Sequence, residues 1–332
     1  MIPKKTNRLK LNKRMEKVIF DTNAYRYLVT NKTNKGIDAL IKKVNHREKQ
    51  NGIESLLNPI VAKELLAHIA NKKDSSYIKC LKAIKALYFH SGNNSDYSMI
   101  PTPELLISKS FFNKIINRRV ETNKAFGQMV YHFAKNPNKY VETKFQHKLN
   151  LNAKDVKDVE QGFAEEMEKF LEVIDPNRNG WNVFENDPIG RKKALESVRK
   201  EETSISIALG YLFITRGLLV EEGQLEAKSQ DELMNELLPM AEEFVKIFPE
   251  PIALYKSVFE NMITSDFNLF EKNRTNFIWD IQMMFYVGQN SVQNSKMIFV
   301  TSDKAMIKSA LGTNPNNTIL NFDEYMEYLG LK

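Results

Sequence analysis

The stretch KVIFDTNAYRYLV, residues 17–29, runs three apolar residues, Val18 to Phe20, straight into Asp21 and then Thr22 and Asn23. A carboxylate at the end of a buried strand either caps the helix that follows or reaches for a cation. The second use needs more carboxylates from elsewhere in the chain. That requirement directs the rest of the reading.

The same strand-then-acid pattern returns near the other end. SKMIFVTSDKAMIKSAL, residues 295–311, reads as a strand over 297–301 that leads to Asp303 and a helix. In parallel α/β sheets the functional edge lies outside the carboxyl ends of the strands. Asp21 and Asp303 are therefore expected at that edge, side by side if their strands are neighbours. A final short strand is expected over 318–322, TILNF.

Two helical acids extend the set. In LNPIVAKELLAHIANKK, residues 57–73, Asn58 is an N-cap and Pro59 the first helical residue. Val61, Leu65, Leu66 and Ile69 form an apolar stripe, and Glu64 lies at its edge beside His68. In NRTNFIWDIQMMFYV, residues 273–287, Phe277, Ile278, Ile281, Met284 and Phe285 give a broad apolar face. Asp280 is the sole acid of that stretch, with Asn276 one turn earlier. An unpaired buried carboxylate is costly, so Asp280 calls for a partner, a cation or a proton.

Bulk composition sets the frame. With 42% hydrophobic and 27% charged residues over 332 positions, the chain has a soluble, globular balance. Its single cysteine, Cys80, excludes an internal disulfide and a cysteine-rich zinc site. The N-terminus is polar and basic with no apolar segment behind it, so no signal peptide is expected and the expected location is cytoplasmic. The longest apolar run, 205–220, carries Arg216 and is read as a buried core helix rather than a membrane span.

Charge is unevenly placed. Lys4, Lys5, Arg8, Lys10, Lys13, Arg14 and Lys17 face one acid, Glu16, within the first 17 residues, against a formal charge of +7 for the whole chain. Such a leader attracts phosphate backbones or is merely solvated. Residues 109–148 hold nine Lys and Arg, among them Arg118 and Arg119, against two Glu, and read as a nucleic-acid groove. The stretches 155–175 and 221–243 carry eight carboxylates each and read as solvated faces or protein-docking surfaces.

In their order, VIFDTNAYRYL, NPIVAKELLAHI, the Asp280 helix and IFVTSDKAM resemble a PIN-domain nuclease, over roughly 18–90 and 260–325. The resemblance implies an α/β fold, a PIN-like parallel sheet flanked by helices. It divides the chain into a basic leader (1–17), a discontinuous nuclease domain (18–95 and 260–332) and a large all-helical insertion (96–259) projecting as a lid or arm. It implies an acidic quartet of Asp21, Glu64, Asp280 and Asp303 that holds Mg²⁺ or Mn²⁺, supported by Thr22, Asn23, Asn276 and Thr301. The wide separation of Glu64 and Asp280 leaves Glu104, Glu260 and Asp266 as substitutes.

The activity it implies is phosphodiester hydrolysis that leaves a 5′-phosphate and a 3′-hydroxyl. The nearest members are toxin-type and RNA-processing ribonucleases. RNA is thus expected ahead of DNA, with an inhibitory protein partner and with a homo-oligomer left open. A catalytically inactive, nucleic-acid-binding scaffold is the contrasting expectation. If the leader grips phosphates, removing residues 1–16 weakens nucleic-acid binding and flattens its salt dependence. An unchanged salt slope in a binding titration contradicts that role.

Overall fold

Val18, Ile19 and Phe20 keep at most 1% of their surface exposed, because their strand lies inside a sheet covered on both faces. The computed structural model describes residues 16–91, 99–265, 267–271, 274–288 and 295–332. The leader side chains Lys4, Lys5, Arg8, Lys10, Lys13 and Arg14, and the substitute acid Asp266, lie outside the described residues. Strands β1 (Glu16–Phe20), β2 (Ile53–Ser55), β3 (Lys296–Val300) and β4 (Thr318–Leu320) form one sheet in the order β2-β1-β3-β4. All three pairings are parallel. The fold is α/β, a small parallel sheet flanked by many helices.

Helices α1 (Thr22–Val29) and α2 (Asn34–Asn51) link β1 to β2. Then follow α3 (Pro59–His68), α4 (Tyr77–Ser91), α5 (Pro103–Phe112), α6 (Asn117–Lys135), α7 (Lys139–Ile174) and α8 (Pro188–Arg199). Next come α9 (Glu201–Glu221), α10 (Gln230–Ile247), α11 (Pro249–Thr264) and α12 (Phe277–Met283). Helix α13 (Lys304–Thr313) joins β3 to β4, and α14 (Phe322–Tyr328) closes the described chain. The connection after β1 leads to one side of the sheet and that after β3 to the other. The crevice between β1 and β3 is therefore the switch point where α/β sheets place ligands.

The structure departs from expectation in several elements. Strand β2 and helix α2 were not anticipated, since three residues are too few to display an alternation. The final strand stops at Leu320, because Asn321 and Glu324 form a reciprocal capping box that starts α14. The Asp280 segment is a short α-helix of 7 residues flanked by 3₁₀ turns at Arg274–Asn276 and Met284–Tyr286, not a continuous α-helix.

Nor does residue range 96–259 stand away from the sheet as an arm. Helix α6 packs on α3 and α4, α7 on α3, and α11 on α13. Phe126, Phe145 and Phe163 share one continuous apolar core with Val18 and Phe299. A second core joins α5, α9 and α10 around Phe244, and Phe285 sits in it while its neighbours Met284 and Tyr286 belong to the first.

Helix α9 is the expected buried helix only in part. By length and composition it is the one described helix able to cross a membrane. It rests on α5 and α10 through Ala208 and Leu212, while Ile214 is 64% exposed. Its Arg216 is buried and pairs with Glu236 at 3.4 Å.

A buried polar chain ties the helices together beneath β1. His90 Nε2 donates to Glu48 Oε1 at 2.8 Å, and the Tyr325 hydroxyl donates to the same oxygen at 2.6 Å. The Tyr25 hydroxyl lies 2.8 Å from His90 Nδ1. Tyr25 is in the helix that Asp21 caps, so this chain fixes where that helix begins. Replacing one member of a buried pair strands the other. His90→Leu is expected to cost about 3–5 kcal/mol in urea unfolding; a loss within experimental error means that the network contributes nothing.

Candidate functional site

The register Phe20↔Val300 brings Asp21 and Thr301 abreast at the carboxyl ends of β1 and β3. Asp21 is the N-cap of α1 and is 5% exposed. Its Oδ1 accepts from the Ala24 N–H at 2.5 Å, and its Oδ2 accepts from the Thr301 hydroxyl at 2.5 Å. Thr301 Oγ1 in turn accepts from the Asp303 N–H at 3.0 Å. One fully buried hydroxyl therefore sets the positions of both strand-end acids. Asp303 caps α13 through Oδ1 and the Met306 N–H at 2.8 Å, which leaves its second oxygen uncommitted. Both acids are helix caps, and capping leaves lone pairs available on each.

Glu64 reaches the same edge from α3. Its Oε2 accepts from the Thr22 hydroxyl at 2.5 Å, so the residue after Asp21 holds the acid of another helix. Asp280 is half-buried, and its side chain makes no hydrogen bond or ion pair among the described residues.

Burial first, and repulsion between neighbouring acids second, raises three of the four carboxyls. Burial pushes Asp21 up to about 6, against the pull of Thr301 and Ala24 and with help from Asp303. Burial pushes Glu64 up to about 7; the Thr22 hydrogen bond opposes this and Asp21 adds to it. Asp280 is held well above the usual carboxylate range, first by burial and then by Asp303, Glu64 and Asp21, with nothing pulling it down. Arg26 is the cation acting on Glu64, and it acts less strongly than Asp21 does.

The remaining expected residues separate. Thr22 and Thr301 hold carboxylates through their hydroxyls. Asn23 is exposed and acts on Asp21 through its backbone N–H. Asn276 is exposed in the 3₁₀ turn and makes no side-chain capping bond, so the support expected from it is absent. Glu104 pairs with Arg119 at 3.4 Å and Glu260 with Arg199 at 2.7 Å, so neither substitute acid is drawn into the cluster. Arg118 pairs with Glu221 at 2.6 Å and also with Glu222. Both arginines expected to bind nucleic acid make ion pairs within the chain, and both side chains stay exposed at the surface.

Helix α7 supplies residues that were not anticipated. Glu160 accepts from the Trp279 indole N–H at 2.8 Å and raises the Glu64 carboxyl. Lys63 lies 4.7 Å over the Trp279 ring, pairs with Asp155 at 2.5 Å, and has its carbonyl bound by the Asn152 amide. Lys63 and Trp279 immediately precede Glu64 and Asp280, so α7 clamps both acid-bearing helices. The signal was there: Glu160 continues the buried stripe of Leu149, Asn152, Val156, Phe163 and Met167.

The donors suit a hard divalent cation, since they are carboxylate oxygens in a buried, mutually repelling set without zinc-type ligands. Among the described residues, no three His, Cys, Asp or Glu side chains are already gathered closely enough to hold a metal ion.

Raised carboxyls cost stability when ionised. The folded chain holds protons that the unfolded chain releases, so this part of the stability is complete at acid pH and is lost as pH rises through about 6 for Asp21 and about 7 for Glu64. In chelator at neutral pH, Asp21→Asn is expected to stabilise the protein by roughly 2–3 kcal/mol, and by about half as much near pH 5. Thermal melts that show no pH-dependent gap between the two proteins contradict this. Comparison with protein-family models, curated proteins and solved structures found no match to this chain, so the carboxylate geometry carries the functional reading.

Proposed function

We propose that the protein is a divalent-metal-dependent endonuclease with a PIN-like core, acting on RNA. The observation that supports this reading is the approach of Asp21, Glu64, Asp280 and Asp303 toward the switch point of a parallel sheet, where three of them are pushed above their ordinary ionisation range. A bound Mg²⁺ or Mn²⁺ would supply the Lewis acidity and charge neutralisation that phosphodiester hydrolysis requires. Asp21, Asp303 and Asp280 would hold it, with Glu64 as the fourth oxygen ligand.

The chain's own groups prepare the site. Thr301 locks the Asp21 rotamer and the Asp303 backbone, and Thr22 does the same for Glu64. The uncommitted carboxylate of Asp280 is free to turn toward a ligand or to orient a water. The phosphate of the substrate would enter above the strand ends, where its own charge demands the cation.

A second reading is an inactive nucleic-acid-binding scaffold. It draws support from the caps on Asp21 and Asp303 and from the absence, among the described residues, of a gathered ligand set. A DNA-directed nuclease would use the same core. One assay divides these: labelled RNA, single-stranded DNA and duplex DNA with Mn²⁺ or chelator, using the unaltered chain and Asp21→Asn. The expected result is Mn²⁺-dependent RNA cleavage that falls by at least about a hundredfold in Asp21→Asn, with the fold retained. Binding without cutting favours the scaffold, and cutting confined to DNA names the other polymer. Cleavage by Asp21→Asn at the unaltered rate removes Asp21 from the site.

A further inference from the structure

Beside the two acid-bearing helices lies an open cleft of about 90 Å³, lined by residues of α3, α6, α7 and α12 and of the start of α5. Trp279 and Phe126 give it apolar walls. Its charged groups cancel in pairs, Lys63 with Asp155 and Arg119 with Glu104. A phosphate would find no unpaired cation there, so the cleft suits an uncharged ligand.

Three of its uncharged polar groups, by contrast, lack partners, while the Thr122 hydroxyl donates to the Arg118 carbonyl. Asn123 is 9% exposed, and its amide makes no hydrogen bond among the described residues. Neither amide atom of Asn123 is a fully buried unbonded atom, so the amide stays accessible from the cleft that it lines. Thr102 Oγ1 is buried and unbonded, and it does not cap the helix it precedes. The Gln282 amide lines the same space without a side-chain partner. The two amides, beside aromatic walls, offer donors and acceptors to the edge of a flat, neutral ring. Asn and Gln amides read base edges through paired donor and acceptor atoms. Single-stranded RNA is recognised by splayed bases bound on such edges.

We infer that this cleft is a pocket for one unpaired base of the RNA strand, read by Asn123 and Gln282; the assignment rests on the nuclease reading for its polymer. Lys63 and Trp279 line the cleft and directly precede Glu64 and Asp280, so a base lodged here fixes which phosphate reaches the carboxylates. The helices that separate Glu64 from Asp280 in sequence thereby acquire a task, because α6 brings Asn123.

The test is binding of short A, C and U homopolymers to the full chain carrying Asp21→Asn, in chelator, followed by fluorescence anisotropy. The expected result is a preference of about tenfold or more for one base. Adding Asn123→Ala, or separately Gln282→Ala, narrows that preference to about twofold while the salt slope stays unchanged. Thermal melts confirm that each variant is folded, and the half-buried Gln282 offers the milder substitution. Equal affinity for the three polymers overturns the pocket, as does a preference that survives both substitutions. Binding of free nucleosides without binding of the polymers also overturns it, by assigning the cleft to a small molecule. Cleavage by the chain with native Asp21 in Mn²⁺ is scored separately. Base preference without cleavage keeps the pocket and removes the nuclease, whereas cleavage without base preference does the reverse.

Discussion

A single buried hydroxyl, that of Thr301, organises the sheet edge. It donates to Asp21 on one strand end and accepts from the backbone of Asp303 beyond its own strand. Both bonds depend on β1 and β3 being adjacent, parallel and in the observed register. A slip of one residue would carry Asp21 away from Thr301 and break the bond between them. Both faces of the sheet are buried and apolar, so core packing tolerates either register and the polar bonds at the strand ends help to select the observed one.

The price of this arrangement is electrostatic. Asp21, Glu64 and Asp280 sit where water is scarce, and each raises the energy of its neighbours' charged forms. A sequence selected for stability alone would place apolar residues there. The long helical range between Glu64 and Asp280 offsets part of the strain. Helix α7 grips Lys63 and Trp279, and the 3₁₀ turn after α12 anchors Phe285 in the second core. The acids are thus held by packing around them rather than by bonds between them.

How much of this could be read from the chain depended on how local each signal is. Asp21 and Asp303 follow apolar strands directly, so their place at the sheet edge was legible from a few residues. Asp280 stood out as the lone acid on an apolar face. Strand β2 was invisible because Ile53, Glu54 and Ser55 carry no pattern of their own and pair only because β1 is beside them. Asn276 was expected on the Asp280 face because a straight helix was assumed, and the 3₁₀ turn rotates it into solvent. The Glu160–Trp279 bond joins residues 119 positions apart, and the buried Glu48 lies in a helix rich in charge. Periodicity assigns such residues to a face, but only the packed fold supplies their partners.

The proposed function requires the four carboxylates to hold a divalent cation. Electron paramagnetic resonance of Mn²⁺ titrated into the full chain measures this directly, without a substrate or an assumed activity. The account predicts bound Mn²⁺ that is displaced by Mg²⁺ and lost in Asp280→Asn, a variant expected to fold because it nearly matches the aspartate in shape and keeps an uncharged polar side chain. Mn²⁺ that stays free in the presence of the unaltered chain, or binds Asp280→Asn equally well, contradicts it.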